Sequence, residues 1–139
     1  MTVSSFVQVL QERAEATPEA RAYTFLTGGE ETAALTFAQL GRRARAVASR
    51  LQQLKAGGER ALLLYPPGVD YITAFYGCLA AGAVAVPAYP PRMNRNLQRL
   101  ESILEDASPR AVLTTEAVYR QLSRRFDESP HLDHQPSAA

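Results

Sequence analysis

Residues 60–92 read RALLLYPPGVDYITAFYGCLAAGAVAVPAYPPR, and no charged side chain falls between Asp70 and Arg92. Such a segment belongs in a bilayer or in a protein core. A spanning helix needs about 20 apolar residues in one uninterrupted rod. This run is interrupted: its apolar character is mostly Ala, Gly77 and Gly82 weaken a helix, and Pro87, Pro90 and Pro91 break it. Divided at its punctuation, it gives a short apolar strand at Arg60–Tyr65, a turn at Pro66-Pro67-Gly68 and a helix over Val69–Ala81. Gly82 is the helix stop, and a second strand over Ala83–Val86 is closed by Pro87. Neither strand alternates polar with apolar residues, the pattern of parallel strands covered on both faces. The expectation is a buried β-α-β unit with no membrane span.

Upstream, Ser5 with Gln8 forms a capping-box pattern ahead of Phe6, Val9 and Leu10, so an amphipathic helix is expected to about Ala16. Arg21–Thr27 is rich in strand formers, Gly28-Gly29-Glu30-Glu31 reads as a polar turn, and Ala33–Thr36 returns as a second short strand of a hairpin. Thr36 with Gln39 repeats the capping box. Phe37, Leu40, Ala44, Val47, Ala48, Leu51 and Leu54 then keep to one helical face until Gly57-Gly58. The other face carries Arg42, Arg43, Arg45 and Arg50, read as a solvated surface because no aromatic residue is interleaved with them.

Downstream, Leu97, Leu100, Ile103, Leu104 and Ala107 mark a helix over Asn94–Ala107, Ala111–Thr114 is a third buried strand, and Val118, Leu122 and Phe126 support a last helix. The fold class is therefore α/β, a parallel sheet covered by helices in the order β-α-β-α-β, preceded by an amphipathic helix and a hairpin. Right-handed crossovers put successive helices on one side of the sheet unless the strand order reverses. Residues 1–129 are expected to form one α/β unit and 130–139 a tail or linker.

Composition narrows the function. With 46% hydrophobic and 21% charged residues and a net charge of +1, the chain is an ordinary globular one without a field for nucleic acid or anionic membrane. Cys78 is the only cysteine and lies in the most apolar stretch, which excludes an internal disulfide and fits a buried thiol in a reducing, cytoplasmic setting. The first 20 residues lack a basic region followed by an apolar one, so they do not read as a secretion signal.

Catalytic patterns are missing. Gly77 and Gly82 lie within and at the end of a helix, whereas a phosphate loop precedes one. The Tyr65-Pro66-Pro67-Gly68 turn leads into a helix N-terminus, but its prolines lack N–H donors and Asp70 adds negative charge. It reads as a structural turn. There is no nucleophile elbow, H-E-x-x-H or C-x-x-C. His131 and His134 flank Asp133 in a Pro- and Ser-containing tail without the further ligands a metal site needs.

Three stretches together carry a resemblance. Leu35-Thr36-Phe37-Ala38-Gln39-Leu40 resembles the first core motif of acyl-adenylate-forming enzymes, Cys78-Leu79-Ala80-Ala81-Gly82-Ala83-Val84-Ala85-Val86-Pro87 the second, and residues 6–18 the helix that opens these enzymes. Peptide adenylation domains usually continue V-P-I/L-D-P. Here the chain continues Val86-Pro87-Ala88-Tyr89-Pro90-Pro91-Arg92, which with Tyr65-Pro66-Pro67-Gly68 is similar to the fatty acyl-AMP ligase branch.

That resemblance implies the N-terminal scaffold of a ligase that activates a fatty acid with ATP and Mg and passes it to an acyl carrier protein, as in lipid, polyketide or nonribosomal peptide synthesis. It also implies that the phosphate-binding loop, the nucleotide and Mg motifs, the acyl tunnel and the catalytic lysine lie beyond the equivalent of Ala139. No catalytic, cofactor-binding or metal residue is therefore assigned, and Lys55 does not take the lysine role. The chain alone is expected to be inactive and to self-associate. An amino-acid-activating adenylation fragment and a non-catalytic α/β interaction module are the alternatives.

Overall fold

The computed structural model describes residues 5–92 and 97–127, the last two by their backbone alone. Its order is α1 (Phe6–Ala16), β1 (Arg21–Thr27), β2 (Glu30–Thr36), α2 (Phe37–Gln53), β3 (Arg60–Leu64), α3 (Val69–Ala81), β4 (Val84–Ala88), α4 (Gln98–Ala107), β5 (Ala111–Thr114) and α5 (Glu116–Asp127). Both capping boxes form. Ser5 Oγ accepts from Gln8 N at 3.2 Å, Thr36 Oγ1 from Gln39 N at 3.2 Å, and each Gln side chain accepts from its cap residue's N–H at 2.9 Å. Gly82 ends α3 in the left-handed conformation, at φ 70°.

The hairpin differs from expectation. Gly28 and Gly29 both take positive φ and complete the turn as a pair, so Glu30 and Glu31 belong to β2 instead of the turn. Glu31 is then placed opposite the other strand, where it meets the Arg21 guanidinium at 2.7 Å. The start of the helix expected at Asn94 and the tail from 130 lie outside the described residues.

β3, β4 and β5 form a parallel sheet in the order β4-β3-β5, separate from the antiparallel pair β1-β2. The strand order does reverse. The chain steps from β3 to β4 on one side and returns across β3 to β5, so right-handed crossovers put α3 and α4 on opposite faces. Ala61 and Leu63 face a core with Leu51 of α2, Ala74 and Cys78 of α3 and Leu113 of β5. Leu62 and Leu64 face the other way, onto Leu97, Leu100 of α4, Val118 and Leu122 of α5. A third cluster joins α1, α2 and the hairpin through Leu10, Leu35, Leu40 and Ala44.

One expectation about burial is corrected. β3 is covered on both faces, but β4 is an edge strand of this sheet, and Val84 is 51% exposed. The same position explains why β4 runs through Pro87 to Ala88 instead of closing at Val86. A proline without an N–H is tolerated on an edge, where no further strand asks for the donor.

Arginines secure the amino edge of the sheet. Arg60 Nη1 donates to the Ala107 carbonyl at 3.0 Å at the end of α4, and Arg110 Nε donates to the Leu54 carbonyl at 3.3 Å just past α2. Positive charge at these helix ends satisfies carbonyls that have no partner within the helix. Among the described residues no helix is long and apolar enough to cross a membrane.

Candidate functional site

In open α/β sheets a ligand binds outside the carboxyl ends of the strands, where neighbouring strands send their connections to opposite faces. That point here lies between β3, which leads into α3 on one face, and β5, which leads into α5 on the other. Thr114 closes the two strands together at this edge. Its buried hydroxyl donates to the Leu64 carbonyl at 2.7 Å. Thr115 Oγ1 accepts from Val118 N at 3.2 Å and so caps α5.

Two Tyr-Pro-Pro triplets line the same edge. Leu64 and Ala88 are register partners, so Tyr65-Pro66-Pro67 and Tyr89-Pro90-Pro91 leave adjacent strands side by side. The repeated triplet was visible in the sequence; that it forms one wall follows only from the register. Helix α5 fastens the second triplet: Gln121 Nε2 donates to the Pro91 carbonyl at 3.3 Å, and Arg125 Nη1 to the Arg92 carbonyl at 3.1 Å. Tyr89 is 80% exposed, whereas Tyr65 packs against the α2–α3 core. Burial, with lesser contributions from Asp70 and Cys78, holds the Tyr65 hydroxyl far above the usual phenol range.

This edge does not fit a triphosphate. Pro66 and Pro67 offer no N–H, Gly68 caps α3 without a side-chain hydrogen bond, and Asp70 occupies the first turn, where an anion would sit. Gly68 has φ 154° and ψ −165°, a conformation that glycine adopts almost alone. The two Tyr-Pro-Pro triplets carry no charged side chain.

The other residues weighed in the sequence are scattered. Lys55 sits just past α2 with φ 55°. Arg42, Arg43, Arg45 and Arg50 lie on the exposed face of α2, and Arg50 Nη1 donates to Gln53 Oε1 at 3.1 Å. His131, Asp133 and His134 fall outside the described residues. Among the described residues no three of His, Cys, Asp and Glu come together as a metal would require.

Cys78 is wholly buried, and burial pushes its thiol from the ordinary 9.0 up to about 11. Burial and then the hydrogen bond shared with Tyr23, at 2.9 Å between hydroxyls, push Tyr76 from 10.0 to about 12. Both groups hold their protons more tightly folded than unfolded. Their contribution to stability is therefore complete below pH 9 and is lost as pH rises through about 11 and then about 12. The expected result is a urea midpoint, followed by circular dichroism, that falls steadily above pH 9. Cys78→Ala should flatten the first part of the fall; an unchanged slope would mean that the thiol is not shielded.

Comparison with known proteins places these features. The family profile described as AMP-binding enzyme matches residues 10–138. The medium-chain-fatty-acid–[acyl-carrier-protein] ligase JamA of Moorena producens is 44% identical over 129 residues, which is 90% of this chain and 22% of JamA. The long-chain-fatty-acid–AMP ligase FadD32 of Mycolicibacterium smegmatis is 37% identical over 131 residues, 91% of this chain and 21% of FadD32. Among solved structures, the fatty acyl-adenylate ligase from L. pneumophila in complex with acyl adenylate and pyrophosphate superposes with a TM-score of 0.82 at 34% identity. That alignment covers 97% of this chain and 23% of the ligase. The chain thus spans about a fifth of the length of the relatives it matches, and it belongs to the AMP-binding enzyme family of adenylate-forming proteins.

Proposed function

We propose that this chain is the N-terminal scaffold of a fatty acyl-AMP ligase, a protein that joins a fatty acid to AMP at the expense of ATP, with Mg, and hands the acyl group to an acyl carrier protein. The observation that carries the proposal is the 44% identity with JamA across nine-tenths of the chain. Residues 1–129 act as an α/β subdomain whose role is structural: they hold the Tyr-Pro-Pro wall and the sheet against the rest of the enzyme, and no catalytic or cofactor-binding residue is assigned to them. The Val86–Arg92 continuation favours this branch over amino-acid activation.

The test is a chimera in which this chain replaces the matching first fifth of JamA. Formation of acyl-adenylate from a medium-chain fatty acid, measured by pyrophosphate release, is the expected result, with none from the chain alone. A folded chimera without activity would count for an interaction module instead, and adenylate formation by the chain alone would overturn the structural role.

Self-association of the isolated chain is part of the proposal. Phe6, Leu26, Val84 and Tyr89 are exposed large apolar groups, and β4 is an unprotected edge in the described sheet. Light scattering should find a dimer or larger species at high concentration. A strict monomer there would remove this element.

A further inference from the structure

A groove of about 300 Å³ lies between α1 and α2, lined by Gln11, Ala14 and Glu15 from one helix and Ala38, Arg42 and Arg45 from the other. None of its lining residues belongs to the strand ends or turns of the carboxyl edge. Its four polar side chains, Gln11, Glu15, Arg42 and Arg45, make no side-chain hydrogen bond or ion pair with the described protein. Glu15 and the arginines share the groove without meeting across it.

Gly41 shows where the Arg45 head group rests. A Cβ placed there would lie 3.6 Å from Arg45 Nη1 and 3.7 Å from Ala14 Cβ, so the guanidinium lies along the α1–α2 seam. Arg42 is one turn earlier on the same face, which sets two cations at i, i+3 spacing.

We propose that this groove seats an acidic peptide segment of a protein partner, its carboxylates paired with Arg42 and Arg45 and an N–H donor of the peptide meeting Glu15. Guanidinium groups accept carboxylates in a two-pronged geometry. The Gln11 amide can both donate to and accept from a peptide main chain. A nucleic acid fits less well, because Glu15 repels a continuous phosphate backbone and no aromatic side chain lines the groove for base stacking.

The probe is a fluorescein-labelled helical peptide of Glu-Ala-Ala-Ala repeats, with a Lys-Ala-Ala-Ala peptide and an oligothymidylate as comparisons. Binding to the chain is read by fluorescence anisotropy at low salt and by amide shifts. The expected result is binding of the Glu peptide alone, with shifts centred on residues 11–15 and 38–45. The pair Arg42→Gln and Arg45→Gln should weaken it by roughly twofold to thirtyfold, from two exposed ion pairs. Both arginines are exposed, so circular dichroism of the double variant should match the parent. Equal binding by the double variant, shifts elsewhere, or oligothymidylate binding as tightly to the same residues would overturn the proposal.

Discussion

Gly77→Ala is expected to destabilise the chain by about 1–3 kcal/mol, although alanine is the better helix former by about 1 kcal/mol. Space is the reason. A Cβ at Gly77 would come 2.4 Å from Val47 Cγ1, 2.5 Å from Val47 Cβ and 3.3 Å from the Ala44 carbonyl oxygen. These distances are well inside contact, and the obstructing atoms sit close to the α2 backbone, so they cannot swing away as the tip of a long side chain would. To admit the methyl group, α2 and α3 must move apart, which loosens the core around Leu51, Ala74 and Cys78. Urea denaturation of Gly77→Ala, Val47→Ala and the double variant measures this. The double variant should recover only part of the loss, because Val47→Ala removes the Cγ1 contact but leaves Cβ at 2.5 Å. If Gly77→Ala alone were stabilising, the close approach of α2 and α3 would be refuted.

The second large effect is at the central strand. Leu63→Ala and Leu62→Ala should each cost about 2–5 kcal/mol, the range for emptying a closed core site. The two residues are neighbours in sequence, both fully buried, and they face different layers: Leu63 the α2–α3 side, Leu62 the α4–α5 side. In a strand covered on one face only, one of the pair would be nearly neutral, within about 0.5 kcal/mol. Val84→Ala on half-exposed β4 should fall far below both. A neutral Leu62→Ala with a costly Leu63→Ala would mean that α4 and α5 do not pack on the sheet as described.

These outcomes bear on how the elements are specified. Ser5 with Gln8 and Thr36 with Gln39 act within one turn of chain, so the two helix starts were readable from spacing alone. Gly82 did the same for the end of α3, because a left-handed residue is needed there and glycine supplies it without strain. Glu30 and Glu31, as charged residues, suit both a turn and an exposed strand, and only the pairing with β1 distinguishes the two. Pro87 reads as a strand end, because a central strand has no room for a missing donor. At an edge that objection disappears.

The candidate edge divides in the same way. The chemistry of Tyr65-Pro66-Pro67-Gly68 was plain from its residues, since two prolines and Asp70 argue against a phosphate seat wherever the turn lies. The pairing with Tyr89-Pro90-Pro91 was not, because residues 24 positions apart become neighbours only through the Leu64–Ala88 register. Gly77 is the sharpest case. In the sequence it weakens a helix; in the fold it leaves room for Val47 where a Cβ would lie 2.4 Å from Cγ1.

By itself the sequence determined the local elements, the β-α-β order of the centre and, through its motifs, the family to which it belongs. Capping and left-handed turns act over a few residues, and their energetics do not depend on distant partners. Only the tertiary structure decided the strand order β4-β3-β5, the exposure of β4, the fit of Gly77 against Val47 and the groove between α1 and α2. Each of those depends on which surfaces meet. Apolar burial is non-directional, so the pattern that marks Leu62 and Leu63 as buried does not say which helix covers them.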